Sequence, residues 1–335
     1  KKVMSADSLK LFQEYFDKNI SHFKRLDHHG NNKLFKITLE DDTKYLIKEY
    51  SKIHLENWNR GYSEFKALNY LWKIGFRNIP RPIKFNGSKN LGVYSFERGF
   101  NLNPFKIKEE NILSAVSFLV KLHNLKVNKQ DFGPASSACL NLKNYIDVID
   151  RRFNNIKEYN EDSPIGKKAK IFLDKEVHLK IVEVKEFFFN KTLGVDIFKE
   201  LNLEEQVLTP GDFGFHNILY DGKEYKFLDF EYFGRDDPVR QILDFMHHDK
   251  SSNISDNLKN LFLKKYKSQR NTSEFFDFRI SVANPLIAMT WGLIYLNILS
   301  PKYMEHLKFS NNNSMNIFKD RLNKAEAKIR GIKLK

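Results

Sequence analysis

The stretch from Leu208 to Pro238, LTPGDFGFHNILYDGKEYKFLDFEYFGRDDP, leaves the chain the least freedom, because it fixes a hairpin and what stands at its open end. Ile218–Tyr220 is apolar, Asp221-Gly222 follows, and Tyr225–Leu228 runs into Asp229. An Asp-Gly pair between two apolar runs is the strongest short-range hairpin signal. Such a hairpin returns the residues before and after it to one end, so Asp212, Asn217 and Asp229 can converge. Three oxygen-bearing side chains at one end of a hairpin suit a hard cation such as Mg2+ together with a phosphate. A lone D-x-x-x-x-N or a lone D-F-E arises by chance in chains of this length. The information lies in their order and in the hairpin that joins them.

The spacing resembles the catalytic core of protein-kinase-type phosphotransferases. There a loop Asp takes the acceptor hydroxyl's proton, an Asn five positions on holds one Mg2+, and a later Asp-Phe-x holds the metals. GDFGFHNIL followed by FLDFE is more closely similar to the aminoglycoside phosphotransferase and choline kinase-like family, whose pattern is His-Gly-Asp-x-x-x-x-Asn and then Ile-Asp-Phe/Trp-Glu. The resemblance spans residues 25 to 300 and implies an α+β, protein kinase-like two-lobed fold. A small antiparallel-sheet N-lobe would occupy residues 1–99 and a larger, mostly helical C-lobe residues 100–335. It also implies Asp212 as catalytic base, Asn217 as a metal ligand and Asp229 as the principal metal ligand. One departure is plain: the family's His two positions before the Asp is Pro210 here, and His216 sits just before Asn217. His216 is left as an orienting or a substrate-contacting residue.

The 335 residues are enough for one large or two ordinary domains with a real core, and 41% hydrophobic content describes a globular chain. One cysteine, Cys139, excludes an internal disulfide framework and a thiolate zinc site, and fits a cytoplasmic protein. The opening Lys1-Lys2 leads into mixed polar sequence rather than an apolar leader. The longest apolar stretch, Pro285–Leu299, is too short to span a bilayer and reads as a buried core helix. A net charge of +14 raises nucleic acid as a partner, but the lysines are spread along the chain. Their densest run, Lys319–Lys335, reads as a basic amphipathic helix with a solvated face, and no nucleic-acid motif accompanies it.

In chain order, apolar spacing predicts an amphipathic helix over Ser5–Phe23. Strands follow at Phe23–Leu26, Lys33–Leu39 and Lys44–Tyr50. The loop Gly30-Asn31-Asn32 between the first two can turn backbone amides toward nucleotide phosphates. On the third, alternation places Lys48 with Leu46 toward a cleft, the form of a strand lysine that reaches α- and β-phosphates. The helix Tyr62–Ile74 carries Glu64 as the partner for Lys48, with Glu49 and Glu56 as the alternatives. Leu91–Phe96 is a strand ending in Glu97-Arg98-Gly99, and the resemblance makes Phe96 and Glu97 the hinge whose backbone meets the adenine. His123 closes the helix of Asn111–Lys126 as a packed or capping residue, and the Asp131-Phe132-Gly133 triplet precedes Asp212, so it is a decoy. Helices are expected at Leu142–Phe153, Ile165–Phe189, Asn257–Lys267, Phe275–Leu299 and Asn316–Ile332, and Asp244 is expected to brace rather than react.

The expected function is an ATP- and Mg2+-dependent phosphotransferase acting on a hydroxyl of a small molecule, such as a sugar, an amino-alcohol or an aminoglycoside-like compound. The alternative is a catalytically inactive, kinase-like nucleotide-binding scaffold. Glu231, Asp236 and Asp237 favour a cationic acceptor where they are exposed.

Overall fold

The computed structural model describes residues 6–26, 32–51, 58–301, 303 and 315–334. In order, these form α1 (Ala6–Gln13), β1 (Ile20–Leu26), β2 (Lys33–Leu39), β3 (Lys44–Glu49), α2 (Arg60–Lys73), β4 (Pro82–Asn86), β5 (Leu91–Ser95) and β6 (Phe100–Asn101). Then come α3 (Glu109–His123), α4 (Leu142–Asn154), α5 (Pro164–Phe172), α6 (His178–Lys191), β7 (Val207–Thr209), β8 (Ile218–Tyr220), β9 (Tyr225–Phe227) and β10 (Gly234–Asp236). Helices α7 (Pro238–His247), α8 (Asp256–Arg270), α9 (Glu274–Tyr295) and α10 (Met315–Arg330) complete the described chain. The chain forms two compact units. One holds the residues up to Asn101 together with Asn217–Tyr232; the other holds Leu102–His216 and the described residues from Phe233 onward.

The first unit is an antiparallel sheet in the order β1-β2-β3-β5-β4. Period-two alternation makes its core: Phe35, Ile37 and Leu39 of β2 point one way and pack with Phe12, Ile47, Leu91 and Val93. The helix expected over Ser5–Phe23 stops at Gln13, and a strand begins at Ile20. Gln13 makes the break: its side-chain carbonyl accepts from the Ile20 amide at 2.9 Å, and its Nε2 donates to the Phe16 and Lys18 carbonyls. Tyr15 and Phe16, whose spacing continues the helix pattern, reach the same core from a loop, and Ile20 and Phe23 reach it from β1. The ladder of β1 with β2 outweighs a local helix preference.

The second element of this unit is the three-stranded sheet β6-β8-β9. Gly222 (φ +99°) and Asp221, whose Oδ1 accepts from the Lys223 and Glu224 amides, turn the β8–β9 hairpin. Ile218 pairs with Phe227, and the Leu228 amide donates to the Asn217 carbonyl at 2.8 Å. That last bond puts Asn217 beside the residue preceding Asp229, at the hairpin's open end.

The second unit is mostly helical around α9, which packs against α4, α6, α7 and α10. This helix starts at Glu274, well before the apolar run seen in the sequence. By length and composition the segment Glu274–Leu299 is apolar enough to cross a membrane, but 78% of its most apolar window is buried inside the protein. The helix expected over Ile165–Phe189 is α5 and α6 joined through a π-helical turn, Leu173–Val177.

At Gly292 α9 meets α10 so closely that a Cβ would lie 2.4 Å from Ile329 Cγ1. Gly292→Ala is therefore expected to cost about 1–3 kcal/mol by overpacking. The check is urea unfolding, read as a lower midpoint at constant m-value. Gly133→Ala, where a Cβ meets open space, serves as the control. Equal midpoints for the two variants would mean that α10 yields freely.

Candidate functional site

In the first unit, alternation along β3 sends Ile47 into the sheet core and Lys48 to the opposite face. Lys48 is only 7% exposed, and its Nζ lies 2.7 Å from Glu64 Oε2 on α2, 2.6 Å from Asp229 Oδ1 and 3.6 Å from Glu231 Oε2. Glu64 is held on all sides: the Tyr50 hydroxyl donates to Oε2, itself bonded to the Tyr94 hydroxyl, and the Phe230 amide donates to Oε1. Glu49 is occupied elsewhere, 3.1 Å from Lys33. Glu56 lies outside the described residues, as do Gly30 and Asn31. Asn32 is described: it is buried, and its side-chain amide donates to Glu231 Oε2 at 2.7 Å.

Three carboxylates thus gather around two cations, Lys48 and Arg60, the latter 3.8 Å from Glu231. Burial works against a charged Lys48, but Asp229, Glu64 and Glu231 outweigh it and hold the ammonium well above its ordinary range. Burial first, then the Asp229 charge, pushes the Glu231 carboxyl up to about 7. Asp229 itself sits at φ +65°, a left-handed conformation that costs a non-glycine residue of the order of 1 kcal/mol. Such strain persists where surrounding contacts enforce it. Carboxylate oxygens of Glu64, Asp229 and Glu231 lie within 4.8 Å of one another. With the Asn217 amide at the same hairpin end as Asp229, the donor set is all oxygen and fits a hard cation of the Mg2+ class.

In the second unit, the loop after β7 is pinned by two buried rings, Phe213 and Phe215, both against Phe245 of α7. Asp212 follows Gly211 (φ +84°), and its Oδ1 is 3.1 Å from His216 Nε2 and 3.3 Å from His248 Nε2. The two imidazoles stack with centroids 4.3 Å apart and planes 17° from parallel. Gly214 makes room for this: a Cβ there would lie 2.8 Å from the His216 ring. Burial raises the Asp212 carboxyl, but the two histidines outweigh it and hold the group well below the usual range. Sequence reasoning missed His248 and Trp291, whose ring meets His248 edge-on at 4.5 Å. Neither residue stands in a motif.

Other flagged residues have internal partners. The Phe96 amide donates to the Lys44 carbonyl at 3.3 Å, and Glu97 accepts from the Ser95 hydroxyl and lies 3.8 Å from Lys226. His123 is buried against the Tyr266 hydroxyl. Asp244 accepts from Trp291 Nε1 and lies 3.4 Å from Arg240. The exposure needed for Glu231, Asp236 and Asp237 to attract a cationic acceptor is absent: all three are at most 2% exposed. Asp236 accepts from the Cys139 amide and Arg240; Asp237 caps α7 and pairs with Arg279 at 3.0 Å. Their charge is spent inside the protein.

No family model matches the chain, and no curated protein matches it. Among solved structures it is similar to the spectinomycin phosphotransferase APH(9)-Ia in complex with ADP and spectinomycin: TM-score 0.66, 13% identity, 98% of this chain and 99% of that one covered. It is similar to the choline kinase LicA from Streptococcus pneumoniae, with TM-score 0.64, 14% identity and coverage of 97% and 99%. It is also similar to the amicoumacin kinase hAmiN in complex with AMP-PNP, Ca2+ and Ami, with TM-score 0.64, 12% identity and coverage of 98% and 94%. The fold is thus that of the aminoglycoside phosphotransferases and choline kinases, with an antiparallel-sheet N-terminal part and a mostly helical C-terminal part.

Glu231 generates a stability prediction. Its carboxyl titrates at about 7 folded, against an ordinary 4.5, so the folded state holds its proton more tightly. The associated stability is full below pH 4.5 and is lost as pH rises to about 7. Glu231→Gln removes that term, so the variant's melting temperature should fall less than the wild type's across this window. Parallel melting curves against pH would show that Glu231 does not hold the proton.

Proposed function

We propose that this chain is an ATP- and Mg2+-dependent phosphotransferase that moves the γ-phosphate of ATP to a hydroxyl of a small molecule. The observation that carries the proposal is the buried Lys48, bridging Glu64 and Asp229 at 2.7 and 2.6 Å, on a fold shared with small-molecule kinases. A lysine fixed in this way is a pre-placed positive charge for the α- and β-phosphates. Asn217 and Asp229 are the residues to hold Mg2+, which when bound neutralises charge on the β- and γ-phosphates. Asp212 is the group to accept the proton of the acceptor hydroxyl. The acceptor oxygen bonds to the γ-phosphorus as the bond from that phosphorus to the β–γ bridging oxygen breaks, the hydroxyl proton passes to Asp212 late in that step, and ADP leaves. Phe96 and Glu97 are proposed to meet the adenine, and Asn32 to lie at the phosphate end of the site.

The relatives with ADP or with AMP-PNP and Ca2+ support nucleotide binding here. The acceptor is a small hydroxyl compound: a sugar, an amino-alcohol or an aminoglycoside-like molecule. An inactive scaffold would need neither an Asp229 held in a strained conformation nor an Asp212 flanked by two imidazoles.

The test is thermal unfolding with Mg·ATP, with ATP plus chelator, and with neither, on wild type and Asp229→Ala. Ligand at about 100 times its dissociation constant adds about 2.7 kcal/mol of stability. A metal-dependent shift that vanishes in Asp229→Ala is expected. Equal shifts in the variant would remove Asp229 from the metal site, and no shift under any condition would favour the scaffold. Asp212→Asn is expected to cut turnover by orders of magnitude while the Mg·ATP shift stays.

A further inference from the structure

We infer that His248 is a positioning residue for Asp212: a neutral imidazole locked in one tautomer, whose Nε2–H is donated to the carboxylate. The inference rests on the reading of Asp212 as the base. It starts from the backbone. His248 is the first residue to leave helical geometry after α7 (φ −55°, ψ 141°), and its amide still bonds to the Asp244 carbonyl at 2.8 Å. From there its Nδ1 accepts a hydrogen bond from the Lys250 amide at 2.9 Å. A backbone N–H is a donor only, so Nδ1 must carry the lone pair and the proton of the neutral ring must sit on Nε2. That nitrogen lies 3.3 Å from Asp212 Oδ1.

The ring has little freedom to leave. His216 stacks on one side at 4.3 Å, Trp291 meets it edge-on at 4.5 Å, and the side chain is 13% exposed. Trp291 is fixed in turn by its Nε1–H, donated to Asp244 Oδ1 at 3.1 Å. Asp212 needs such a hold. Its side chain is 31% exposed, it lies on a loop rather than a helix or strand, and Pro210 and Gly211 before it bring no side-chain donor. Two imidazole nitrogens on one carboxylate oxygen fix the orientation of the second oxygen relative to an incoming hydroxyl.

The competing role for His248 is purely local: its Nδ1 caps the short turn Asp249–Ser251. The two roles use different nitrogens, and two substitutions separate them. His248→Asn keeps a short acceptor for the cap and loses the reach to Asp212. His248→Gln can place its amide N–H near the Nε2 position but fits the cap less well.

The 335-residue chain is assayed for ADP release from Mg·ATP with water as the acceptor, in wild type, Asp212→Asn, His248→Asn and His248→Gln. A hydrogen bond to a charged group corresponds to about a 10- to 100-fold effect, so the kcat of His248→Asn is expected to fall by that factor. Its KM for Mg·ATP is expected to stay within about twofold. His248→Gln should retain more of kcat than His248→Asn although it melts at the lower temperature, so activity and stability rank in opposite order. Nitrogen-15 spectra of histidine-labelled protein should show His248 as the Nε2–H tautomer, a readout independent of turnover. The inference is overturned by an Nδ1–H tautomer, or by a His248→Gln less active than His248→Asn. A fully active His248→Asn beside an inactive Asp212→Asn removes this inference alone. A fully active Asp212→Asn removes the base, and this inference with it.

Discussion

A lysine ammonium taken out of water has to be compensated where it stands, and that requirement organises the first unit. Lys48 is met by Glu64 from α2, Asp229 from the end of the hairpin and Glu231 two residues on. Taking ions out of water costs several kcal/mol each, so such a cluster is poor evidence for stability, while removing one member leaves the others uncompensated. What the cluster fixes is position. It ties β3, α2 and the segment after β9 to a common point. It also explains why Glu64 is saturated by the Tyr50 hydroxyl and the Phe230 amide: both oxygens are committed, so the carboxylate cannot swing away from the lysine. The excess of acid over base around Lys48 is eased in two ways. Glu231 takes up a proton near neutral pH, and Asn32 and Arg60 crowd onto it. The oxygen atoms gathered there are the donor type that suits the hard cation proposed above.

The second unit solves a different problem, that of holding a half-buried carboxylate on a loop. The alternating pattern Asp212-Phe213-Gly214-Phe215-His216 does this locally. Both phenylalanines face down onto Phe245, while Asp212 and His216 meet on the other side of the loop. Gly214 is between them because any side chain there would strike the His216 ring. The rest of the support comes from far along the chain, through α7 and α9. Asp237 begins α7 by capping it and is itself fixed by Arg279 of α9 and the Tyr145 hydroxyl of α4. Burial pushes the Asp237 carboxyl up to about 6, a cost that Arg279 offsets. The helix so anchored ends at His248.

What was legible in the sequence follows from distance along the chain. The β8–β9 hairpin and the placing of Asn217 beside Leu228 are consequences of an Asp-Gly turn and a few apolar residues, all local. The face of Lys48 follows from period two on a strand whose neighbour Ile47 is apolar. Other features depend on contacts that no local pattern records. The apolar spacing of Leu9, Leu11, Phe12, Tyr15 and Phe16 satisfies a helix template, yet from Ile20 onward what decides is pairing with β2. Glu231, Asp236 and Asp237 look like surface acids in a row of charged residues, and only packing shows them buried with Arg60, Arg240 and Arg279. His248 and Trp291 have no motif at all. His248 reaches Asp212, and Trp291 reaches His248, because α7 and α9 pack together; the buried helix was legible from its apolar run, but which of its side chains would meet the end of α7 was not.

The direction of the Asp212 titration bears on what sort of base it can be. Held well below the usual carboxylate range, it is ionised at neutral pH but has weak affinity for a proton. A reaction that required full deprotonation of an alcohol before attack would be badly served by it. Phosphoryl transfer does not require this, because in a loose transition state little bonding to the nucleophile has formed, and the proton can leave late. For such a reaction the carboxylate serves mainly by accepting a hydrogen bond from the hydroxyl and aiming its oxygen, and orientation counts for more than basicity. Two imidazoles on one oxygen lower proton affinity and fix direction at once, a poor design for full deprotonation before attack and a suitable one for aiming the hydroxyl and taking its proton late. The same division runs through the molecule: charge is concentrated and buried around Lys48, where the proposed phosphates would need compensation, and directed and half-buried at Asp212, where the proposed acceptor would need guidance.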